Sequence, residues 1–188
     1  MSYPFSCKHG KCLMCPGGPD SFFGNIPQSY TGKEPATMRA IRNNFDPYFQ
    51  VMNRLEHYIV MGQMPDKVEL IIMGGTFPSF KRSYQEKFIT QCFKAMNDFS
   101  KLFFAKNKFN FEKFKDFFVL PGDIKDPKRA KIIRKRLSIL KNLSNISVTS
   151  TWRLEGVGRR KQKQSAAKLS NGSEKGLEKS ETFQRTKS

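Results

Sequence analysis

The sequence lacks the features of a secreted or membrane-embedded protein. No apolar run approaches the length of a membrane span, and the first residues do not have the shape of a signal peptide. Cysteines are few, and three of the four stand in one short stretch, which suits a metal site in a reducing compartment better than a disulfide framework. We therefore expect a cytoplasmic protein with no membrane partner.

Acidic residues are also scarce. Aspartate and glutamate together number 16 against 34 lysines and arginines, which gives a net charge of +18 and a pI near 10.0. This excess favours a polyanionic partner, such as nucleic acid, a nucleotide cofactor or an anionic surface, over a basic face that is merely solvated. A chain of 188 residues has room for one ordinary domain and a tail.

Large apolar residues become sparse after Arg153, where lysine, serine, glutamine and glutamate dominate. A segment of this composition cannot bury enough apolar surface to offset the entropy lost on ordering. We therefore predict a disordered basic tail at the C-terminal end.

Three cysteines, Cys7, Cys12 and Cys15, have the spacing C-x4-C-x2-C and are followed at once by Pro-Gly-Gly. Thiolates so close in sequence can bind one metal centre. Three kinds of site are compatible with this spacing: zinc with His9 as a fourth ligand, a ferredoxin-like cluster with Cys92, or a 4Fe–4S cluster with only three protein ligands. A three-thiolate cluster leaves one iron open for a small molecule. A second pair of zinc ligands is missing from the sequence, and His9 is better explained as a residue that orders the cysteine loop.

An α/β unit is predicted in the middle of the chain. The apolar run Val68–Met73 has the character of a buried parallel strand, and the pattern of residues 83–97 predicts a helix. Between them stand Gly74, Gly75 and Thr76. Backbone without Cβ atoms can approach the amino-acid end of a ligand closely, so this turn is a candidate binding site.

Other segments are predicted to be mainly helical around a long loop. Residues 7–34, rich in glycine and proline, should form an ordered loop, and Pro35 should open a helix to about Met61 that Asp46-Pro47 kinks or splits. Eight phenylalanines in residues 99–118 are better explained as the buried side of amphipathic helices than as a base-stacking surface. A basic helix is expected from Pro127 to about Leu143.

With these motifs in order, the chain resembles the catalytic subunit of Elongator, in particular its single-polypeptide archaeal form. The resemblance runs from about Tyr3 to Leu143. The segments that carry it are Cys12-Leu-Met-Cys-Pro-Gly-Gly-Pro-Asp20, Gln28-Ser-Tyr-Thr-Gly-Lys-Glu-Pro35, Met38-Arg-Ala-Ile-Arg42 and Asp66-Lys-Val-Glu-Leu-Ile-Ile-Met-Gly-Gly-Thr-Phe77.

The resemblance implies a radical-SAM domain that works with acetyl-CoA to modify the wobble uridine of tRNA. In fold terms it implies a partial (β/α) barrel, mostly helical in this chain. It also assigns site residues by their place in the family's motifs. These are Cys7, Cys12 and Cys15 for the 4Fe–4S cluster, Gly74, Gly75 and Thr76 for S-adenosylmethionine, and Lys67 for acetyl-CoA.

The resemblance is incomplete, and this shapes our expectations. Residues 1–143 would be a partial radical-SAM domain, with the cluster loop at residues 1–34. Residues 144–188 have no family counterpart, and the acetyltransferase domain and the family's first barrel strand are not found. We therefore expect a fragment that is inactive alone, with tRNA as a partner and with other Elongator-like chains or a separately encoded remainder as possible partners. The alternative is a non-catalytic metal-binding module that grips RNA through its basic residues.

Overall fold

A computed structural model describes residues 1–143, and the predicted tail at 144–188 lies outside the described residues. The described part is rich in helix, with two short antiparallel hairpins. None of its helices is long and apolar enough to cross a membrane. The elements in chain order are β1 (Gly18–Ser21), β2 (Gly24–Ile26), α1 (Pro35–Arg42), α2 (Pro47–Val60), a 3₁₀ turn (Phe77–Ser79), α3 (Arg82–Phe103), β3 (Phe104–Ala105), β4 (Lys108–Phe109), α4 (Phe111–Phe118) and α5 (Pro127–Leu143).

The predicted break in the first helical stretch is confirmed. Helix α1 ends at Arg42 and α2 begins at Pro47, with Asp46 between them as the N-cap. The Asp46 carboxylate accepts a hydrogen bond from the backbone N–H of Phe49 at 3.1 Å, which satisfies one of the free donors of the new helix. Proline at the first position of α2 needs no N–H partner, so the sequence both stops one helix and starts the next.

The hydrophobic core lies where α2, α3, α4 and α5 pack together. The phenylalanines of residues 99–118 contribute buried rings to it, so their interpretation as the inner side of amphipathic helices is confirmed. Each fully buried ring stabilises the fold by about 1.5–3 kcal/mol relative to an exposed one. The buried core residues are Tyr48, Met52, Leu55, Ile59, Ala95, Met96, Phe99, Phe103, Phe114, Phe118 and Leu137.

Helix α5 has the predicted bounds, and one buried ion pair joins it to α2. Arg129 donates from Nη2 to the carboxylate of Glu56, and both side chains are almost completely buried. The Nε of Arg129 also donates to the carbonyl oxygen of Phe118 at 3.0 Å. With this arginine turned inward, Lys128, Lys131 and other basic residues of α5 remain on the solvent side.

The predicted parallel strand at Val68–Met73 is wrong for the described residues. The two sheets found there are hairpins that exclude this run, and Ile71 keeps 67% of its surface exposed. A strand requires a hydrogen-bonded neighbour, and the run gains one such bond, from the Ser2 N–H to the Met73 carbonyl oxygen at 2.8 Å. The mostly helical character is confirmed, whereas a parallel sheet is not found in residues 1–143.

Candidate metal centre

One cavity of about 330 Å³ is lined by all three clustered cysteines. Gly75 and Thr76 line the same cavity, so the cysteine loop and the glycine turn meet in space although the sequence separates them widely. The other lining residues are His9, Gly10, Met14, Pro16, Gln28 and Ser29.

Cys7 is held at the wall of this cavity by two residues from other motifs. Its backbone N–H donates to Oε1 of the buried Gln28 at 2.6 Å, and its sulfur lies 3.4 Å from Oγ1 of Thr76. Gln28 opens the Gln-Ser-Tyr-Thr-Gly-Lys-Glu-Pro motif, and Thr76 ends the glycine turn. Cys7 is therefore the residue at which three separate motifs make contact.

Cys15 is fixed by the backbone that follows β2. Its sulfur accepts a hydrogen bond from the N–H of Ser29 at 3.0 Å. The chain after Cys15 also packs closely, since a Cβ added at Gly17 would lie 1.9 Å from the carbonyl oxygen of Tyr30. Only glycine fits there, because a contact of that length is a direct clash with backbone. An N–H donor aimed at the sulfur stabilises a thiolate, the form that binds metal.

Cys12 is exposed, and its nearest polar partner is a histidine. The Nε2 atom of His9 lies 3.3 Å from the Cys12 sulfur. The backbone N–H of Cys15 also donates to the carbonyl oxygen of Cys12 at 3.0 Å, which closes a tight turn between the two cysteines. The contact with the sulfur is consistent with His9 as a neighbour of a ligand.

The two glycines of the turn face different surroundings. Gly75, at φ 57°, points toward the cavity, because an added Cβ would lie 3.7 Å from the Cys7 sulfur. Gly74, at φ 110°, packs against Ser2, whose hydroxyl oxygen would lie 2.5 Å from an added Cβ. Ser2 also donates from Oγ to the Gly74 carbonyl oxygen at 2.9 Å. The structure therefore places Gly75 and Thr76 at the cavity and Gly74 behind it.

A group of aromatic rings anchors the cysteine loop and the glycine turn to α3. Phe80 is buried at its centre, with ring centroids 4.4 Å from Phe5, 5.1 Å from Tyr3 and 4.7 Å from Tyr84. Burial raises the pKa of Tyr84 to about 12. We did not predict this cluster from the sequence, because its members are spread from residue 3 to residue 84 with no common period.

The loop between β2 and α1 is organised by Glu34. Its carboxylate accepts hydrogen bonds from the Thr31 N–H at 2.7 Å, the Thr31 hydroxyl at 2.8 Å, the Gly32 N–H at 3.1 Å and the Thr37 hydroxyl at 3.0 Å. These donors, the Thr31 backbone N–H first, lower the pKa of Glu34 to about 2. The carboxylate thus ties the loop that carries Gln28 to the start of α1.

Two residues named in the sequence analysis lie away from the cysteine cavity. Lys67 is exposed and lines a larger cavity of about 740 Å³ between α2, α3 and the 63–73 segment. Cys92 lines that larger cavity as well, and its burial raises the pKa of its thiol to about 11. Cys92 lines a different cavity from Cys7, Cys12 and Cys15, so the structure does not bring it to the other three thiols as a ferredoxin-like arrangement would require.

The donors fit a three-thiolate cluster by their chemistry and by their shared cavity. Within residues 1–143, no three histidine, cysteine or acidic side chains are gathered closely enough to hold one metal ion. A single zinc ion needs its sulfur ligands at about 2.3 Å. In a cubane each thiolate binds a different iron, so Cys7, Cys12 and Cys15 would hold such a cluster with their sulfurs farther apart than a single zinc ion allows.

Comparisons with curated proteins find relatives of about half of the chain. The chain is 57% identical over 98 residues to the tRNA uridine(34) acetyltransferase of Methanocaldococcus infernus, and 56% identical over 97 residues to that of Methanocaldococcus jannaschii. It is 46% identical over 105 residues to Elongator complex protein 3 of Saccharomyces cerevisiae. The matched half of the chain is homologous to the Elongator catalytic subunit.

The matched segment is only a part of this chain and a smaller part of the relatives. The matches cover 52% or 53% of this chain, less than the three quarters over which we expected the resemblance to run. They cover only 18% or 19% of the Elongator-type relatives, so the chain spans less than a fifth of the length of those proteins. No family model matches the chain.

Proposed function

We propose that this chain carries the cluster-binding part of a radical-SAM, acetyl-CoA-dependent enzyme that modifies the wobble uridine of tRNA. The observation that carries the proposal is the single cavity lined by Cys7, Cys12, Cys15, Gly75 and Thr76. The relatives, tRNA uridine(34) acetyltransferase and Elongator complex protein 3, suggest the substrate and the group transferred.

In this proposal the three thiolates hold a 4Fe–4S cluster, and Gly75 and Thr76 receive the amino-acid end of S-adenosylmethionine, whereas Gly74 packs against Ser2 behind the turn. When bound and reduced, such a cluster supplies one electron that cleaves S-adenosylmethionine and yields a carbon radical. The chain's own residues hold the cysteine ligands in place and leave space for the cofactor. Gln28 and Thr76 fix Cys7, the Ser29 N–H donates to the sulfur of Cys15, and Gly75 leaves room for a ligand beside them.

The acetyl-CoA part of the proposal rests on Lys67. This lysine borders the larger cavity together with Arg39 and Arg54, so three cationic side chains stand around one space. Cations suit the phosphates of CoA. Burial and the neighbouring arginines lower the pKa of Arg39, and its Nε has no hydrogen-bond partner among residues 1–143. A buried, unpaired donor of this kind would be satisfied by an anionic ligand.

The tRNA part of the proposal rests on charge. Exposed lysines along α5 add to a chain with net charge +18, and phosphate neutralisation provides the sequence-independent share of RNA affinity. We propose that the protein binds its RNA in the cytoplasm. Replacing Lys128, Lys131 and Lys135 by glutamine should lower the slope of log affinity against log salt by up to about two units, since each phosphate contact contributes about 0.7–0.9.

We also propose that residues 68–73 become a barrel strand when neighbouring strands are present. The run is apolar, partly exposed and almost without backbone partners in residues 1–143. Strands from a separately encoded remainder or another Elongator-like chain would satisfy it. We propose that the chain alone does not transfer an acetyl group, because Cys12 and Gly75 are open to water and reactive centres need to be enclosed.

The experiment that tests the proposal is anaerobic reconstitution with iron and sulfide. Wild-type protein should take up about four irons and four sulfides, as the cubane requires. Serine at position 7, 12 or 15 should abolish uptake, whereas Cys92→Ser should not, because Cys92 lies away from the cavity. Cluster loss in Cys92→Ser alone would contradict the proposed ligand set.

A second candidate is a non-catalytic metal-binding module that binds RNA. The observation that favours it is the contact between His9 and the Cys12 sulfur, because a histidine so close to a thiol could complete a zinc site. Metal analysis separates the two. One zinc per chain and no colour would support the module, and a brown iron–sulfur protein would support the enzyme.

A further inference from the structure

The tip of the β1–β2 hairpin presents an aromatic side chain to solvent, and the hairpin joins two residues that line the cysteine cavity, Pro16 and Gln28. Phe22 and Phe23 form the turn between Ser21 and Gly24, and 96% of the surface of Phe22 is exposed. The positive φ of the turn, 91°, falls on Gly24, so the two phenylalanines are not required by the backbone conformation. Turn chemistry therefore does not account for aromatic residues at this place.

The hairpin is built to hold its tip in a fixed position. Ser21 donates from Oγ to the Gly24 carbonyl oxygen at 2.8 Å, which clamps the turn. At the other end Ile26 is buried, and the chain continues at once into Gln28, which binds the backbone of Cys7. Gly18 and Ser21 are three residues apart, so the tip lies at most about 10 Å from the base of the hairpin. Its position is thus tied to the cysteines.

The rings at the tip leave one aromatic face open. Phe22 and Phe23 meet edge to face, with centroids 5.3 Å apart and an interplanar angle of 83°. Phe23 is itself only partly exposed, at 40%. The smaller exposure of Phe23 and the perpendicular contact show that it supports Phe22 from one side while the Phe22 ring faces solvent.

The cysteine loop that leads into the hairpin has an apolar and positive surface. Leu13 and Met14, in the turn between Cys12 and Cys15, are 104% and 91% exposed, and Met14 also lines the cysteine cavity. Lys8 and Lys11 of the same loop are exposed as well. In residues 1–33 the sequence has three lysines against one acidic residue, Asp20. An exposed ring on a segment joined to a lysine-bearing loop offers the two contacts by which proteins hold unpaired nucleotides, base stacking and phosphate neutralisation.

We propose that Phe22 is a stacking platform for an unpaired base of an RNA loop, next to the cysteine cavity. The inference rests on the proposed function and adds to it a residue that positions the substrate. A base stacked at the hairpin tip would hold the adjoining nucleotide within reach of the cavity, while Lys8 and Lys11 neutralise its phosphates. A paired base offers no free face, so the platform selects loops over duplexes.

The chain offers a closely matched control. Phe111 is a half-exposed phenylalanine, 48% exposed, and it meets Phe109 at 5.2 Å and 83°, almost the geometry of the Phe22–Phe23 pair. It lies at the start of α4, outside the cysteine loop and its hairpin. Neither Phe22 nor Phe111 belongs to the buried core, so alanine at either position should leave the fold intact.

The test uses the full chain and an RNA stem-loop with unpaired uridines and one 2-aminopurine in the loop. Phe22→Ala should weaken binding about 5- to 100-fold and abolish the quenching of 2-aminopurine, as expected for loss of one stacked base. Phe22→Trp should restore both, and Phe111→Ala should bind like wild type. Binding to a fully paired RNA should be the same for all four proteins.

Three results would overturn the inference. Phe22→Ala could bind the loop as tightly as wild type, it could lose duplex and loop binding equally, or it could change self-association without changing RNA affinity. In each of these cases a wild-type protein that still binds RNA leaves the proposed function standing. If wild-type protein binds neither the stem-loop nor the fully paired RNA, both the stacking role of Phe22 and the proposed RNA-directed function are contradicted.

Discussion

The sulfur of Cys7 lies 3.4 Å from the hydroxyl oxygen of Thr76, although the two residues are 69 positions apart. This contact joins the cysteine loop to the glycine turn. The aromatic rings around Phe80 pack next to these two segments, and Gln28 accepts a hydrogen bond from the Cys7 backbone N–H. The candidate centre therefore depends on tertiary contacts with residues that are not ligands themselves.

The two glycines of the turn should respond differently to alanine. Gly75→Ala places a methyl group 3.7 Å from the Cys7 sulfur at a positive φ, so it should weaken S-adenosylmethionine binding at least about fivefold while iron uptake persists. Gly74→Ala clashes with Ser2 instead and should lower the melting temperature. Cofactor titration and thermal unfolding of both variants provide the check. Equal cofactor affinity in Gly75→Ala and wild type would contradict the placement of Gly75.

Removing the central ring of the aromatic cluster should loosen the site. Phe80→Ala empties a buried position and should destabilise the protein by about 3–5 kcal/mol. The loss should be visible in urea unfolding, and the variant should retain less iron after reconstitution because the cysteine loop is no longer anchored. Phe111→Ala, at a half-exposed ring, serves as the comparison and should change stability by less than half as much.

Glu34 should make the fold sensitive to acid. Its pKa in the folded protein is lowered to about 2 from an ordinary value of 4.5, so its contribution is fully present above about pH 4.5. The contribution is lost as pH falls through the folded pKa. The melting temperature of wild type should therefore exceed that of Glu34→Gln at pH 6, and the difference should shrink between pH 4.5 and pH 2. A difference that stays constant across this range would show that the carboxylate charge is not responsible.

Removing one partner of the ion pair between Glu56 and Arg129 should strongly destabilise the fold. Both side chains are nearly buried, so Glu56→Ala leaves an uncompensated guanidinium and should destabilise the protein by about 3–5 kcal/mol. Glu112, paired with Lys115 on the surface of α4, is the control. Glu112→Ala should cost less than about 1 kcal/mol in the same urea titration, because exposed ion pairs are well solvated. Similar losses in both variants would contradict the role given to burial.

Much of the helical structure could be predicted from the sequence because its signals are local. Pro35, Asp46-Pro47 and Asp126 mark helix starts by their own chemistry. Two pairs of buried phenylalanines, Phe99 with Phe103 and Phe114 with Phe118, stand four residues apart, which is the spacing of a helix. The prediction of a strand at 68–73 was wrong because strand formation does not depend on local signals alone. Apolar character indicates burial, but a strand also requires a neighbour, and residues 1–143 do not provide one for this run.

The site was predictable in its parts and not in its arrangement. Spacing alone indicated Cys7, Cys12 and Cys15, and the glycine turn was visible after an apolar run. Sequence could not indicate that Gly75 faces the cavity while Gly74 faces Ser2, because adjacent glycines differ only in their tertiary neighbours. The same holds for the β1–β2 hairpin, whose tip of two phenylalanines has none of the usual turn residues.

The most direct test of the account is the low-temperature EPR spectrum of the reduced, reconstituted protein with and without S-adenosylmethionine. If Cys7, Cys12 and Cys15 hold a cluster with one iron open toward Gly75 and Thr76, addition of the cofactor should change the g values of the signal. Gly75→Ala should reduce that change at the same cofactor concentration. An identical spectrum with and without S-adenosylmethionine would contradict the claim that the cysteine loop and the glycine turn form one cofactor site.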